Sequence, residues 1–155
     1  MVLTGQEIIR REIVTNLINV ENQVQPCGID LSVAKIEMYK GFGIIDFDNS
    51  HRALPRLEEA GRFNGIWHLG PGAYLITFNE VVKVPADYMG LARPRSSLLR
   101  MGATMNTSVW DPGYEGRSQC MLVVHNTQGI KVHQNAKLLQ IIFMSLEETC
   151  EHTYQ

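Results

Sequence analysis

Residues 93–116 carry the reading of this chain: Arg93-Pro94-Arg95-Ser96-Ser97-Leu98-Leu99-Arg100-Met101-Gly102, then residues 103–110, then Asp111-Pro112-Gly113-Tyr114-Glu115-Gly116. A helical turn at 96–102, a strand at 104–110 and a Pro-Gly turn follow one another closely. Ser96 is suited to N-cap the turn and Gly102 to end it as the residue after the C-cap. Arginines and hydroxyls beside a helix start suit an anion such as a polyphosphate. A surface helix with solvated arginines accounts for the same residues. Asp111, Pro112 and Gly113 suit positions i to i+2 of a type II turn. Such a turn is also rigid enough to hold a carboxylate that activates water. Tyr114, three residues on, suits either the core or the face of a sugar.

The same brevity marks the chain on either side. Thr4 and Glu7 have capping-box spacing ahead of Ile8, Ile9 and Ile13, which predicts a helix over 4–14. Candidate strands follow at 17–20, 30–39, 43–47, 66–69, 74–78, 81–84, 89–92, 104–110, 118–125, 130–133 and 138–146, separated by turn residues. The apolar phase within 30–39 changes near Ala34-Lys35, as a bulge would require. Residues 50–65 are polar and poorly periodic and read as a surface loop. Residues 138–144 are apolar around Gln140, which fits a strand buried on both faces. Many short strands predict an all-β fold, a jelly-roll-like sandwich or distorted barrel, with a short N-terminal helix.

Composition narrows the class. The chain has 155 residues, enough for a single domain over 1–155 with a real core. A net charge of −2 gives no general attraction to nucleic acid or anionic membrane. No apolar run reaches the ~20 residues of a membrane span. The N-terminus has neither signal nor transit character. Cys27, Cys120 and Cys150 are odd in number and far apart, so they read as free thiols of a cytoplasmic protein. The five histidines show no ligand spacing. Asp30, in Pro26-Cys27-Gly28-Ile29-Asp30-Leu31, is placed to cap a turn or to reach hydrated Mg²⁺ through water.

Taken together, these segments resemble the superfamily of trimeric dUTPases and dCTP deaminases, most closely its short archaeal-type dUTPases. Residues 26–31 are similar to the first motif, residues 69–75 to a "PGE/PGD" turn with Ala73 in place of the acid, and residues 95–102 to the phosphate-gripping second motif. Residues 109–116 resemble the third motif and residues 138–143 the fourth. The resemblance implies a β-clip barrel, a homotrimer with sites between subunits, and Mg²⁺-dependent hydrolysis of dUTP to dUMP and pyrophosphate. It implies Asp111 as the water-activating base. Arg95, Ser96, Ser97, Arg100 and Gln140 would then bind phosphate. Asn106, Trp110 and Tyr114 would bind the nucleoside, and Asp30 would contact the metal through water.

Deaminases of this superfamily carry a glutamate ten residues after the third-motif Asp. Here that place is Met121, or Val123 if the strand carries a two-residue insertion. Neither side chain moves a proton at neutral pH. The alternatives are dCTP deamination, alone or joined to hydrolysis, and a non-catalytic nucleotide-binding module. Residues 151–155 offer no match to the Gly-rich fifth motif of dUTPases. Tyr154-Gln155 is similar to the start of the deaminases' "YQGQ" lid.

Overall fold

Short strands that are each too small to bury a face must share one core, and here they do so in one large wrapped sheet and one small one. The structure is a computed structural model and describes residues 1–154. Its helices are α1 (Gly5–Arg10), α2 (Val20–Gln23) and α3 (Ser96–Arg100). Its strands are β1 (Val14–Thr15), β2 (Val24–Gln25), β3 (Gly28–Lys40), β4 (Arg56–Glu59), β5 (Arg62–Phe63) and β6 (Ile66–Leu69). They continue with β7 (Gly72–Lys83), β8 (Tyr88–Pro94), β9 (Ala103–Asn106), β10 (Glu115–Val124), β11 (Ile130–His133) and β12 (Lys137–Ser145).

The large sheet runs β8-β12-β3-β7-β10-β9, with β1 on β7 and both β2 and β4 on β3. A small sheet runs β11-β6-β5. All these pairings are antiparallel. This is the all-β, jelly-roll-like distorted barrel that the sequence predicts. Its centre is filled by Ile8, Ile29, Leu31, Ile36, Trp67, Ile76, Phe78, Leu122, Leu139, Ile141 and Phe143, all fully buried. Burying each such side chain contributes about 1.5–3 kcal/mol. Burial also pushes the Cys120 thiol up to about 12, and all three cysteines are free.

β3 joins the two halves of the barrel. Its residues 29–32 pair with β12 and its residues 33–38 pair with β7. The register with β7 slips between Val33 and Lys35, where the change of apolar phase predicts a bulge. A second slip, between Lys137 and Leu139, lies on β12.

Several boundaries differ from the prediction. α1 stops at Arg10, because Glu12 takes a left-handed φ of 56° and Val14-Thr15 pair with the end of β7. The strand expected at 17–20 is replaced by α2, whose cap Asn19 accepts the Asn22 N–H at 3.0 Å. The strand expected at 43–47 contributes only the bridge Ile44–Ala53, whereas the predicted loop 50–65 contains β4 and β5. The strands expected at 74–78 and 81–84 are one strand, β7. The strand at 104–110 is β9 plus a separate bridge at Trp110. On β12 the burial alternates. Leu139, Ile141 and Phe143 are core, while Gln140, Ile142 and Met144 are half-buried.

Gly90 links this framework to the Asp111 turn. Gly90 and Trp110 exchange backbone hydrogen bonds of 2.8 and 3.0 Å. A Cβ on Gly90 would lie 2.9 Å from the Trp110 Cβ and 3.2 Å from Phe143 Cε1. Gly90→Ala is therefore expected to cost about 1–3 kcal/mol through overpacking. Urea denaturation measures this, and an unchanged midpoint would contradict it.

Candidate active site

Asp111 sits on the turn its neighbours predict. The Tyr114 N–H donates to the Asp111 carbonyl at 3.1 Å, and Gly113 at i+2 has a φ of 85°. That left-handed φ is the type II geometry that favours glycine. The turn is pinned to residue 84 on both sides: the Gly113 N–H donates to the Val84 carbonyl and the Val84 N–H to the Tyr114 carbonyl, each at 2.9 Å. The Asp111 carboxylate is left exposed on a fixed support. Beside it opens a cleft of about 460 Å³, lined by Trp110, Asp111, Tyr114, Arg117, Gln119 and Tyr154 among others.

Tyr114 is half-buried, and its hydroxyl donates to the Arg117 carbonyl at 3.1 Å. Burial pushes its phenol above the usual tyrosine range. The Tyr154 ring stands edge-on to it at 5.5 Å, and the Tyr154 N–H donates to the Pro112 carbonyl. Gln155, the other half of the lid-like dipeptide, lies outside the described residues. Trp110 is buried, with Nε1–H donating to Ser118 Oγ at 2.7 Å, so little beyond its edge reaches the cleft. Asn106 is exposed on β9 opposite Met121 of β10 and does not line this cleft.

The predicted phosphate residues gather elsewhere. Arg95, not Ser96, is the N-cap of α3, and it makes no side-chain capping bond. Ser96 is the first helical residue, and Gly102 follows the C-cap with a φ of 76°, as predicted. Ser96, Ser97 and Arg100 are exposed. Arg95 is half-exposed and points its Nε at Asp30 Oδ2, 3.1 Å away. Gln140 lies between Asp30 of β3 and Arg93 of β8 in the sheet, and its Nε2 donates to the Cys27 carbonyl at 3.1 Å. None of these residues lines the Asp111 cleft.

Asp30 is 1% exposed, and its charge is matched from several sides. Lys137 Nζ lies 3.2 Å from Oδ2, and Gln25 Nε2 donates to the same oxygen at 3.2 Å. A buried carboxylate needs such partners. The arrangement does not fit a magnesium ion held by the protein. No group of three or more His, Cys, Asp or Glu side chains converges among the described residues, and Oδ2 of Asp30 already faces two cations and an amide.

A second buried carboxylate supports the first. Glu80 of β7 is fully buried. It accepts the Ser32 N–H at 2.9 Å, the Ser32 hydroxyl at 2.5 Å and Gln23 Nε2 at 2.6 Å. Gln23 Nε2 also donates to the Asp30 carbonyl at 2.8 Å. Glu80 thus fastens the backbone on both sides of Leu31, where β3 changes partners.

A family model described as dCTP deaminase-like matches residues 2–146. The chain belongs to the dCTP deaminase-like family. A relative from Archaeoglobus fulgidus, named probable deoxyuridine 5'-triphosphate nucleotidohydrolase, is 44% identical over 149 residues, covering 94% of this chain and 88% of its own. A deoxyuridine 5'-triphosphate nucleotidohydrolase from Methanocaldococcus jannaschii is 42% identical over 130 residues, covering 83% of this chain and 82% of its own. Among solved structures, the 2'-deoxycytidine 5'-triphosphate deaminase of Agrobacterium tumefaciens has a TM-score of 0.67 at 21% identity, over 92% of this chain and 48% of that one. At that identity the likeness is one of fold.

Within this dCTP deaminase-like domain, sequence reasoning missed Lys137, Gln23 and Glu80. Glu80 had a legible signal: it stands in phase with Ile76, Phe78 and Val82, all buried. Lys137 and Gln23 had none, since only the tertiary fold brings them to Asp30.

Glu80→Gln would set an amide donor against either Gln23 Nε2 or the Ser32 N–H. The expected cost is about 1–3 kcal/mol, the penalty for one buried group left without a partner. Denaturant unfolding checks it, and wild-type stability would remove the role given to Glu80.

Proposed function

We propose that this chain is a dUTP diphosphatase, hydrolysing dUTP to dUMP and pyrophosphate. One observation carries the reading: an exposed carboxylate, Asp111, is held on a doubly pinned turn at the mouth of a cleft against the Tyr114 ring. The dUTP nucleotidohydrolase relatives, at 42–44% identity, support it.

In the proposed mechanism Asp111 takes a proton from water as the water oxygen attacks the α-phosphorus. The bond from that phosphorus to the bridging oxygen breaks, and pyrophosphate leaves. Arg95 and Arg100, with the Ser96 and Ser97 hydroxyls, hold the phosphates and offset charge that builds on them. Gln140 keeps the Cys27 turn in place beside them. Tyr114 covers the deoxyribose, leaving no room for a 2′-hydroxyl. Asn106 and the edge of Trp110 complete the nucleoside site.

Magnesium enters with the triphosphate as part of the substrate. Asp30 serves by holding Arg95 and Lys137. None of the phosphate residues lines the Asp111 cleft of its own chain, which supports a homotrimer whose sites form between subunits. Deamination is disfavoured, because the place of the deaminases' glutamate falls on Met121, or on Val123 with a two-residue insertion, and neither moves a proton.

Asp111→Asn is expected to lower kcat by about 10²–10⁴, the usual worth of a general base, while dUTP still binds. Pyrophosphate release and calorimetric titration measure the two effects, and turnover near the wild-type rate would exclude Asp111 as the base. Tyr114→Ala should narrow the preference for dUTP over UTP. Assaying dCTP in parallel for ammonia tests deamination directly.

A further inference from the structure

The cleft beside Asp111, at about 460 Å³, has an ordinary size for a small-molecule site, and such sites take their specificity from a few fixed polar groups. Most polar groups around it are already spent. Trp110 Nε1–H donates to Ser118 Oγ, and the Tyr114 hydroxyl donates to the Arg117 carbonyl. The Arg117 side chain offers donors only, and the Tyr154 hydroxyl is a single oxygen. Among the described residues lining the cleft, Gln119 alone carries a donor atom and an acceptor atom side by side.

The sheet aims this amide. Gln119 is exposed on the face of β10 that also carries Arg117 and Met121, since alternate residues share a face. Between the pairs Arg117–Val81 and Gln119–Thr77 the register slips, so that two steps along β10 match four along β7. Without the slip Gln119 would face Asn79, whose own amide is spent on Ser32, Val33 and Asn135. With it, Gln119 faces Thr77, and its Nε2 donates to Thr77 Oγ1 at 3.1 Å. Thr77 is half-buried and, being β-branched, stiff at χ1, which makes it a firm anchor. The bond takes one of the two hydrogens on Nε2, so the second hydrogen and Oε1 remain for a ligand. A side chain oriented before binding loses less freedom when the ligand arrives.

Uracil presents an acceptor, O4, beside a donor, N3–H. Cytosine presents the opposite order, an amino donor at N4 beside an acceptor at N3. With Oε1 accepting from N3–H and Nε2 donating to O4, the Gln119 amide matches uracil at both positions. We infer that Gln119, oriented by Thr77, reads the uracil edge of the substrate. The inference rests on the dUTP reading above and names the base-reading group within its nucleoside site. Asn106, the amide that the sequence offers for the nucleoside, stands outside the cleft, opposite Met121.

Calorimetric titration of the full chain tests it, with Mg²⁺ and, in turn, α,β-imido-dUTP, α,β-imido-dCTP and inorganic triphosphate. The wild type should prefer the uracil analogue. Gln119→Leu should weaken that analogue about ten- to hundredfold, the worth of a two-bond base contact, with triphosphate binding unchanged. Gln119→Glu presents acceptors only, so it should favour the cytosine analogue. Thr77→Val should narrow the preference for uracil, and Thr77→Ser should restore it. Wild-type preference in Gln119→Leu, or equal loss of the uracil analogue and triphosphate, overturns the inference while the dUTP reading stands. An unchanged preference in Thr77→Val overturns the part given to Thr77. A wild type that binds neither nucleotide overturns the dUTP reading, and the inference falls with it.

Discussion

β3 must serve two sheet neighbours in turn, and the point where it switches is where the barrel is most exposed to failure. A strand that leaves one ladder before it is fully engaged in the next strands its backbone donors and acceptors away from water. Here side chains take over. Glu80 accepts the Ser32 N–H, and Asn79 Nδ2 donates to the carbonyls of Ser32 and Val33. Gln23 extends the same support to the Asp30 carbonyl. The buried polar groups therefore replace ladder hydrogen bonds at one discontinuity, and this defines where Asp30 stands. Arg95 and Lys137 both pair with Asp30, so the proposed phosphate side of the site rests on the change of partner.

The Asp111 side rests on a different device. Its turn is bound on one flank to the end of β7 and on the other to Gly90 through Trp110. Both supports are backbone hydrogen bonds within the sheet framework, which hold a side chain more firmly than a free loop does. The two chemistries are each rigid but stand apart within one chain. In the proposed reaction, a carboxylate that activates water and cations that hold the leaving phosphates must meet at one phosphorus atom. In the proposed homotrimer, assembly of several copies would bring them together without either support being loosened.

Local chemistry made part of this legible. Asp111-Pro112-Gly113 demanded a type II turn wherever it fell, because Pro presets φ and Gly accepts a positive one. The bulge at Ala34-Lys35 showed in the apolar phase, because a two-residue period cannot change face without an extra residue. Asn19 capped a helix where a strand was expected: its side-chain hydrogen bond outweighed the β propensity of the few residues around it. Reading residues 74–84 as two strands hid the core phase of Glu80. The break left at Asn79-Glu80 holds one half-buried and one buried side chain, both hydrogen-bonded to β3.

The pattern of short apolar segments and turn residues determined an all-β barrel and the candidate reactive groups, since both follow from local periodicity and side-chain chemistry. Only the tertiary structure decided which charges are paired. Asp30 lies on β3, Arg95 after β8 and Lys137 on β12, and no spacing along the chain relates them. Sheet register brings them within 3.2 Å, and in a buried setting that proximity makes Asp30 the anchor of two cations.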